Sequence, residues 1–377
     1  MRSSSRALVA GFAVAGLVVA TPVMASAAGK GPHPDPEVRS DQVLAPFNLA
    51  LPGSDVYVAE GFMGLVGTLQ GDGSLSPIAV GQPGASGVDL SQDGSILAFT
   101  TTLSDDETGV NLEAGLNLWG PGDEKIYADT MAYEEEHNPD AVNHYGIDNP
   151  SECVAEAFEA AGFPYDYMGQ VDSHAYSVAA WGDGWVVADA GANALWSIDA
   201  EGDVSTLAVL PPQPLLITAD MAAALGFPSC VAGVTYAFEP VPTDVEVAAD
   251  GSVYVTTLPG GPESAVLGAR GALWKLTPAT GALQKVADGF LGATNLALGW
   301  KGEIYVAEYF AGKISVVKKN GKKSDYLPLQ NVIAVETASD GTLWAGTTIT
   351  LDPSQPPAPG TIVKVNNGHP GKHIGLN

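Results

Sequence analysis

The chain has 377 residues, with 16 basic against 43 acidic side chains and a formal net charge of −27. A field of that sign repels nucleic acid and anionic membrane surfaces, which argues against both as partners. With 45 Gly and 27 Pro punctuating short runs of Val, Ile, Tyr and Trp, the composition predicts an all-β chain.

Residues 1–27 open with the basic Arg2 and Arg6, continue through the uncharged run Ala7 to Ala20 and end in Ala25-Ser26-Ala27. This is the layout of a secretory signal peptide, too short in its apolar part for a spanning helix. The remainder is expected to be secreted and extracellular, with no membrane span, and to begin with a flexible linker over 28–39.

From residue 40 to 366 the chain repeats itself. Phe47-Asn48-Leu49-Ala50-Leu51 is followed by Val56-Tyr57-Val58-Ala59-Glu60, and Gly87-Val88-Asp89-Leu90 by Asp93-Gly94-Ser95-Ile96-Leu97. The pattern returns at 177–180 with 184–189, at 243–247 with 250–256, at 294–298 with 302–308, and at 332–337 with 340–345. Each copy pairs two strands across a turn built on Gly, which supplies positive φ at little cost. A third strand follows, as in Ala194-Leu195-Trp196-Ser197-Ile198, and a fourth after another Gly turn, as in Leu283 to Ala287. Six copies of a four-stranded antiparallel unit predict a single six-bladed β-propeller over 40–366. The last copy stops after its third strand near Val365, so Ser40 to Leu44 is expected to supply the missing outer strand and close the ring. Residues 367–377 read as a tail.

Insertions interrupt the repeat at about 105–172 and 215–242. The first holds a short helix from Ser151 to Phe158, the second one from Thr218 to Leu225, and both finish in Gly-Phe-Pro. Each insertion carries one of the two cysteines, Cys153 and Cys230. In an exported chain such a pair reads as one disulfide, with two separate buried thiols as the alternative.

The strings Glu239 to Val247, Tyr254 to Glu263, Gly268-Ala269-Arg270-Gly271 and Gly292 to Ala297 carry a family likeness. On them the chain resembles the ScyD/ScyE family of exported propellers, related to NHL-repeat proteins, from about Pro46 to Val365. The resemblance implies an exported propeller. Its association with pigment-biosynthesis genes implies no activity and no catalytic residues.

Candidate chemistry converges on the channel. The repeat sets Asn48, Asp244 and Asn295 at matching inner-strand positions, and three such oxygen-bearing groups around one axis suit calcium. Polar walls of a water-filled channel are the plainer reading of the same residues. Asp172-Ser173-His174 precedes another inner strand, where Asp172 and Ser173 can bind a ligand, and His174 is the one blade-linked histidine and the candidate general base. Glu60 and Glu308, with Asp189, end the second strand of their copies, where they can meet a ligand or accept backbone N–H groups. The chain has no G-x-S-x-G, H-E-x-x-H, phosphate loop or dinucleotide fingerprint. These observations predict a monomeric, non-catalytic binding or scaffold protein. It would engage a small molecule, a protein or a cell-wall polymer through the channel mouth and the linked loops. The alternative is a calcium-dependent, lactonase-like hydrolase or lyase acting on a small molecule at the channel.

Overall fold

The computed structural model describes residues 34–365 apart from 123, 263, 264, 352, 353 and 355. The expected signal peptide, residues 28–33 of the linker and the tail from 367 lie outside the described residues. No helix among the described residues is long and apolar enough to cross a membrane.

The Asp-Gly turns explain why the repeat is so regular. Asp93, Asp250 and Asp340 each accept, through Oδ1, the backbone N–H two residues further on, at 3.0, 3.0 and 2.8 Å. The glycine between takes positive φ, 78° at Gly251 and 81° at Gly341, a region closed to most side chains. Each turn thereby fixes the register of the two strands that it joins. Val253 pairs with Val247 after Gly251, and Leu343 with Thr337 after Gly341.

Those strands bury the cores between sheets. Every residue of Ile304–Glu308 and of Leu343–Thr347 is buried, because second strands are covered on both faces by neighbouring sheets. Adjacent sheets share cores: Ala188 and Leu195 pack with Val245, Val253 and Leu276, and Ala307 and Ile314 with Val335 and Leu343.

Among the described residues there are seven four-stranded antiparallel sheets. Six correspond to the repeat copies, the first running Pro46–Ala50, Tyr57–Glu60, Leu65–Leu69, Leu75–Val80 from inside outwards. The inner strands are Pro46–Ala50, Val88–Leu90, Ala175–Trp181, Pro242–Val247, Ala293–Leu298 and Val332–Thr337. They touch one another in that order, and the last touches the first. They therefore enclose a central channel. The closing sheet takes its outer strand from Pro36–Val43, which pairs antiparallel with Gly360–Val365, so the two ends of the described chain hold each other.

The seventh sheet departs from the expected six. Its order is Asp166–Met168, His144–Gly146, Thr235–Phe238, Gln213–Leu216, so strands from both insertions share it. It lies beside a small core of Val154, Phe158, Ile217, Val231, Tyr236 and Phe238. Phe158 stacks on Phe227 at 4.8 Å and on Tyr236 at 5.5 Å. Cys153 and Cys230 form a disulfide across it, with their Cα atoms 6.4 Å apart.

Three helices accompany the insertions: α1 (Thr130–His137), α2 (Glu152–Ala161) and α3 (Ala219–Ala224). The sequence predicts only the last two. Thr218 caps α3 through Met221 N–H, whereas Ser151, the residue before α2, makes no side-chain capping bond. Asp129 caps α1 through Ala132 N–H at 2.8 Å. Both insertions precede an inner strand, so they gather at the end of the channel where those strands begin.

Candidate functional site

Three layers of polar residues line the channel and its mouth. The middle layer holds Asn48, Ser177, Asp244 and Asn295, which face Ala59, Ala188, Thr256 and Ala307 of their second strands. A register shift precedes each of them, so they are in step around the ring. The structure brings Asn48, Asp244 and Asn295 to the axis, but the oxygens of Asp244 and Asn295 are engaged by protein. Asp244 Oδ2 accepts Leu296 N–H at 2.7 Å, and its Oδ1 accepts the Ser177 hydroxyl and Asn48 Nδ2. Asn295 Oδ1 accepts Val335 N–H at 2.7 Å. Asp89 Oδ2 repeats the device with Ala180 N–H at 2.8 Å. The bonds to Leu296, Ser177, Val335 and Ala180 each tie one inner strand to the next, and the Asn48 bond to Asp244 crosses the ring. Burial raises the Asp244 pKa to about 7 against the lowering effect of these donors. A calcium ion needs free oxygens, and this donor set does not offer them. Among the described residues, no group of three or more His, Cys, Asp or Glu stands ready to hold a metal ion.

Two residues further along the inner strands, acids and alanines alternate around the ring. The order is Ala50, Asp89, Ala179, Glu246, Ala297, Glu336. Burial is the main cause that raises Asp89 to about 6 and Glu336 to about 8. Glu246 is pushed well above the carboxylate range by burial and then by the charges of Glu336, Asp244 and Asp89. Like charges this close cannot all ionise. The sequence reading missed this layer, although its signal, an acid two positions after the inner-strand polar residue, was present at Glu246.

At the mouth, His174 stands beside Tyr176 with ring centroids 5.6 Å apart. Tyr176 meets Phe47 at 6.1 Å, and Phe47 meets Phe62 at 5.8 Å. The His174 ring is half-buried, and its Nδ1 has no hydrogen-bond partner. Burial lowers its pKa while Asp189 opposes the shift.

The other predicted site residues lie beneath this surface. Glu60 accepts the N–H groups of Leu44, Ala45 and Met63. Glu308 accepts Leu291 N–H and the Ser315 hydroxyl. Asp189 accepts from His174, Gly191 and Ala192 N–H groups, the Ser173 hydroxyl and the Trp196 indole. All three carboxylates fasten the link between sheets. Ser173 bonds Thr130 and Asp189, and Asp172 Oδ1 accepts Asn111 Nδ2 at 3.0 Å. Both are buried, at 0% and 6% exposure. A further buried acid, Glu134 of α1, sits near Asp140, Asp172 and Asp189. Its sequence context, Glu134-Glu135-Glu136, reads as a solvated run and gives no signal of burial.

No protein-family model matches this chain. No curated protein matches it either. Solved structures do. One is the quinone-cofactor-bound aldose sugar dehydrogenase of Streptomyces coelicolor, with TM-score 0.51 and 12% identity over 88% of this chain and 96% of that one. A second, from Thermus thermophilus, is described as an oxidoreductase (glucose dehydrogenase), with TM-score 0.51 and 13% identity over 88% and 100%. A third, described as a gluconolactonase, gives TM-score 0.50 and 12% identity over 88% and 92%. At such identities the likeness establishes the fold, a β-propeller, and no more. The expectation of a non-catalytic binding or scaffold protein is corrected to this extent: the architecture is shared with proteins that bear the names of enzymes, these three among them.

Proposed function

We propose that the chain is a hydrolase or lyase acting on a small molecule at the mouth of the central channel. The observation that carries this reading is the His174 imidazole, half-buried against Tyr176, with no protein partner on Nδ1. Buried polar atoms of a folded protein are almost always paired, so a buried imidazole nitrogen left unpaired, in a residue partly exposed at the mouth, is suited to take a proton. The gluconolactonase and sugar dehydrogenases that share the fold support a small oxygen-rich substrate. The net charge of −27 favours a neutral or cationic one.

In this reading Tyr176, Phe47 and Phe62 hold the apolar face of the substrate, and His174 takes a proton. In hydrolysis the proton comes from water, whose oxygen attacks the carbonyl. In elimination it comes from the carbon beside the carbonyl, a C=C bond forms to the next carbon along, and the ester C–O bond on that next carbon breaks. Either way the proton returns to the leaving oxygen. Calcium, expected at Asn48, Asp244 and Asn295, has no part in these steps, because the oxygens of Asp244 and Asn295 are already engaged.

The finer readings belong here as well. The closed order of six inner strands supports six blades, with the sheet of the insertions appended to them. The strings from Glu239 to Ala297 support membership of the ScyD/ScyE family, and residues 1–27 support export. The test is consumption of a panel of neutral lactones and esters, with product mass separating addition of water from elimination. His174→Gln should lower kcat/KM by about 100-fold or more with an unchanged melting temperature. No turnover on the panel, or equal turnover in the variant, would sink the proposal.

A further inference from the structure

We propose that Glu134, Asp140 and Asp172, with the amide oxygen of Asn138, form a buried binding site for a calcium-class divalent cation beneath the channel mouth. The site is separate from the channel ring and independent of the reaction proposed above.

The elements that build it are fastened together. Thr130, in the first turn of α1, hydrogen bonds Ser173 at 2.8 Å, and Ser173 bonds Asp189. This holds α1 against the segment that enters the inner strand at Ala175. Glu134 lies one turn after Thr130, so its side chain points the same way along the helix. Asn138 closes α1 in the left-handed region, at φ 35°, and turns the chain into the short helical turn Pro139–Val142 that carries Asp140.

The hydrogen bonding within this pocket is divided in a telling way. Asp140 Oδ2 accepts Tyr145 Oη and Asn193 Nδ2, at 3.1 and 3.0 Å, while its Oδ1 is buried and bare. Asp172 Oδ1 accepts Asn111 Nδ2, while Oδ2 is buried and bare. Asn138 donates from Nδ2 to Gly169 O, and its Oδ1 is bare. Glu134 is fully buried, with both carboxylate oxygens bare. Neutral partners thus orient one atom of Asp140, Asp172 and Asn138 and leave the other bare, while Glu134 has no such partner. Residues behind a metal ligand orient it in this manner.

Two glycines keep the bare oxygens clear. A Cβ on Gly169 would lie 2.0 Å from Asp140 Oδ1, and one on Gly191 would lie 2.7 Å from Asp172 Oδ2. No Lys, Arg or His of the described ion pairs reaches Glu134, Asp140 or Asp172. Unpaired carboxylates are among the costliest groups to bury. Three of them together call for positive charge from outside the chain.

The donors are oxygens throughout, carboxylate and amide, without Cys or His. That set selects a hard cation, and calcium accepts six to eight such ligands in a flexible shell that water can complete. The carboxylates are not yet gathered around a common point. Binding therefore requires the Glu134 side chain to turn towards the oxygens of Asp140 and Asp172.

The test is calcium titration by calorimetry, with melting of the same protein in saturating calcium and in chelator. Wild type should bind one calcium and melt about 5 °C or more higher with it. Glu134→Gln keeps the shape and removes one charge. It should weaken binding on the order of 100-fold, while melting in chelator no lower than wild type. Glu336→Gln, in the channel, should leave calcium binding intact. Absence of calcium binding by wild type, or undiminished binding by Glu134→Gln, overturns the proposal. So does loss of binding in Glu336→Gln, which would move the ion to the channel.

Discussion

The channel ring and the pocket under α1 are both polar, both buried and both acidic, yet they treat their oxygens in opposite ways. In the ring, Asp244 accepts from Leu296, Ser177 and Asn48, and Asn295 accepts from Val335, so these side chains serve as clasps between sheets. In the pocket, Glu134, Asp140 and Asp172 keep four oxygens bare. The contrast teaches that a polar residue on a propeller axis need not be a ligand. What separates a clasp from a binding group is whether the chain has already paired its acceptors.

The sharpest way to break the comparison is to remove a clasp. Asp244→Ala leaves the Leu296 N–H, the Ser177 hydroxyl and the Asn48 amide unpaired in the interior. Chemical denaturation should show a loss of about 3 kcal/mol or more. A loss under about 0.5 kcal/mol would mean that Asp244 is not structural.

A second, smaller effect concerns the acids next to the clasps. Glu336 faces Glu246, Asp244 and Asp89, and its folded-state pKa, about 8, lies above its ordinary value. The folded state therefore favours the protonated form. This contribution is complete below about pH 4.5 and is lost as pH rises through 8. Glu336→Gln should flatten the decline in melting temperature between those limits, whereas an unchanged decline would remove Glu336 from the account.

The smallest effect sharpens the boundary between ring and scaffold. Gly251→Ala places a side chain at φ 78° in open space. It should cost about 1–2 kcal/mol, without altering lactone turnover or calcium binding. A change in either would mean that the turns and the sites are coupled.

The legible parts of this molecule are those written into short, local sequence. Asp250-Gly251-Ser252 and Asp340-Gly341-Thr342 announce their hairpins because turn chemistry spans three residues, and the absent fourth strand after Val365 calls for Ser40 to Leu44, where the observed strand is Pro36–Val43. The seventh sheet was not legible. Its strands are three or four residues long, and His144–Gly146 meets Thr235–Phe238 across a wide sequence gap through the single pair Gly146–Ala237. Helix α1 lacks an apolar stripe, and its buried residues are Thr130, Met131 and the acid Glu134, so no periodicity betrays it. Asn48, Asp244 and Asn295 were found at the axis by register. Their engagement with Leu296 and Val335 depends on the neighbouring sheet, which local sequence does not contain.

One measurement bears most directly on the difference between paired and bare oxygens. It is the anomalous scattering of a crystal of the protein soaked in terbium, a calcium substitute. The account predicts a peak among Glu134, Asp140 and Asp172 and none between Asn48, Asp244 and Asn295. A peak on the channel axis, or none at either place, would contradict it.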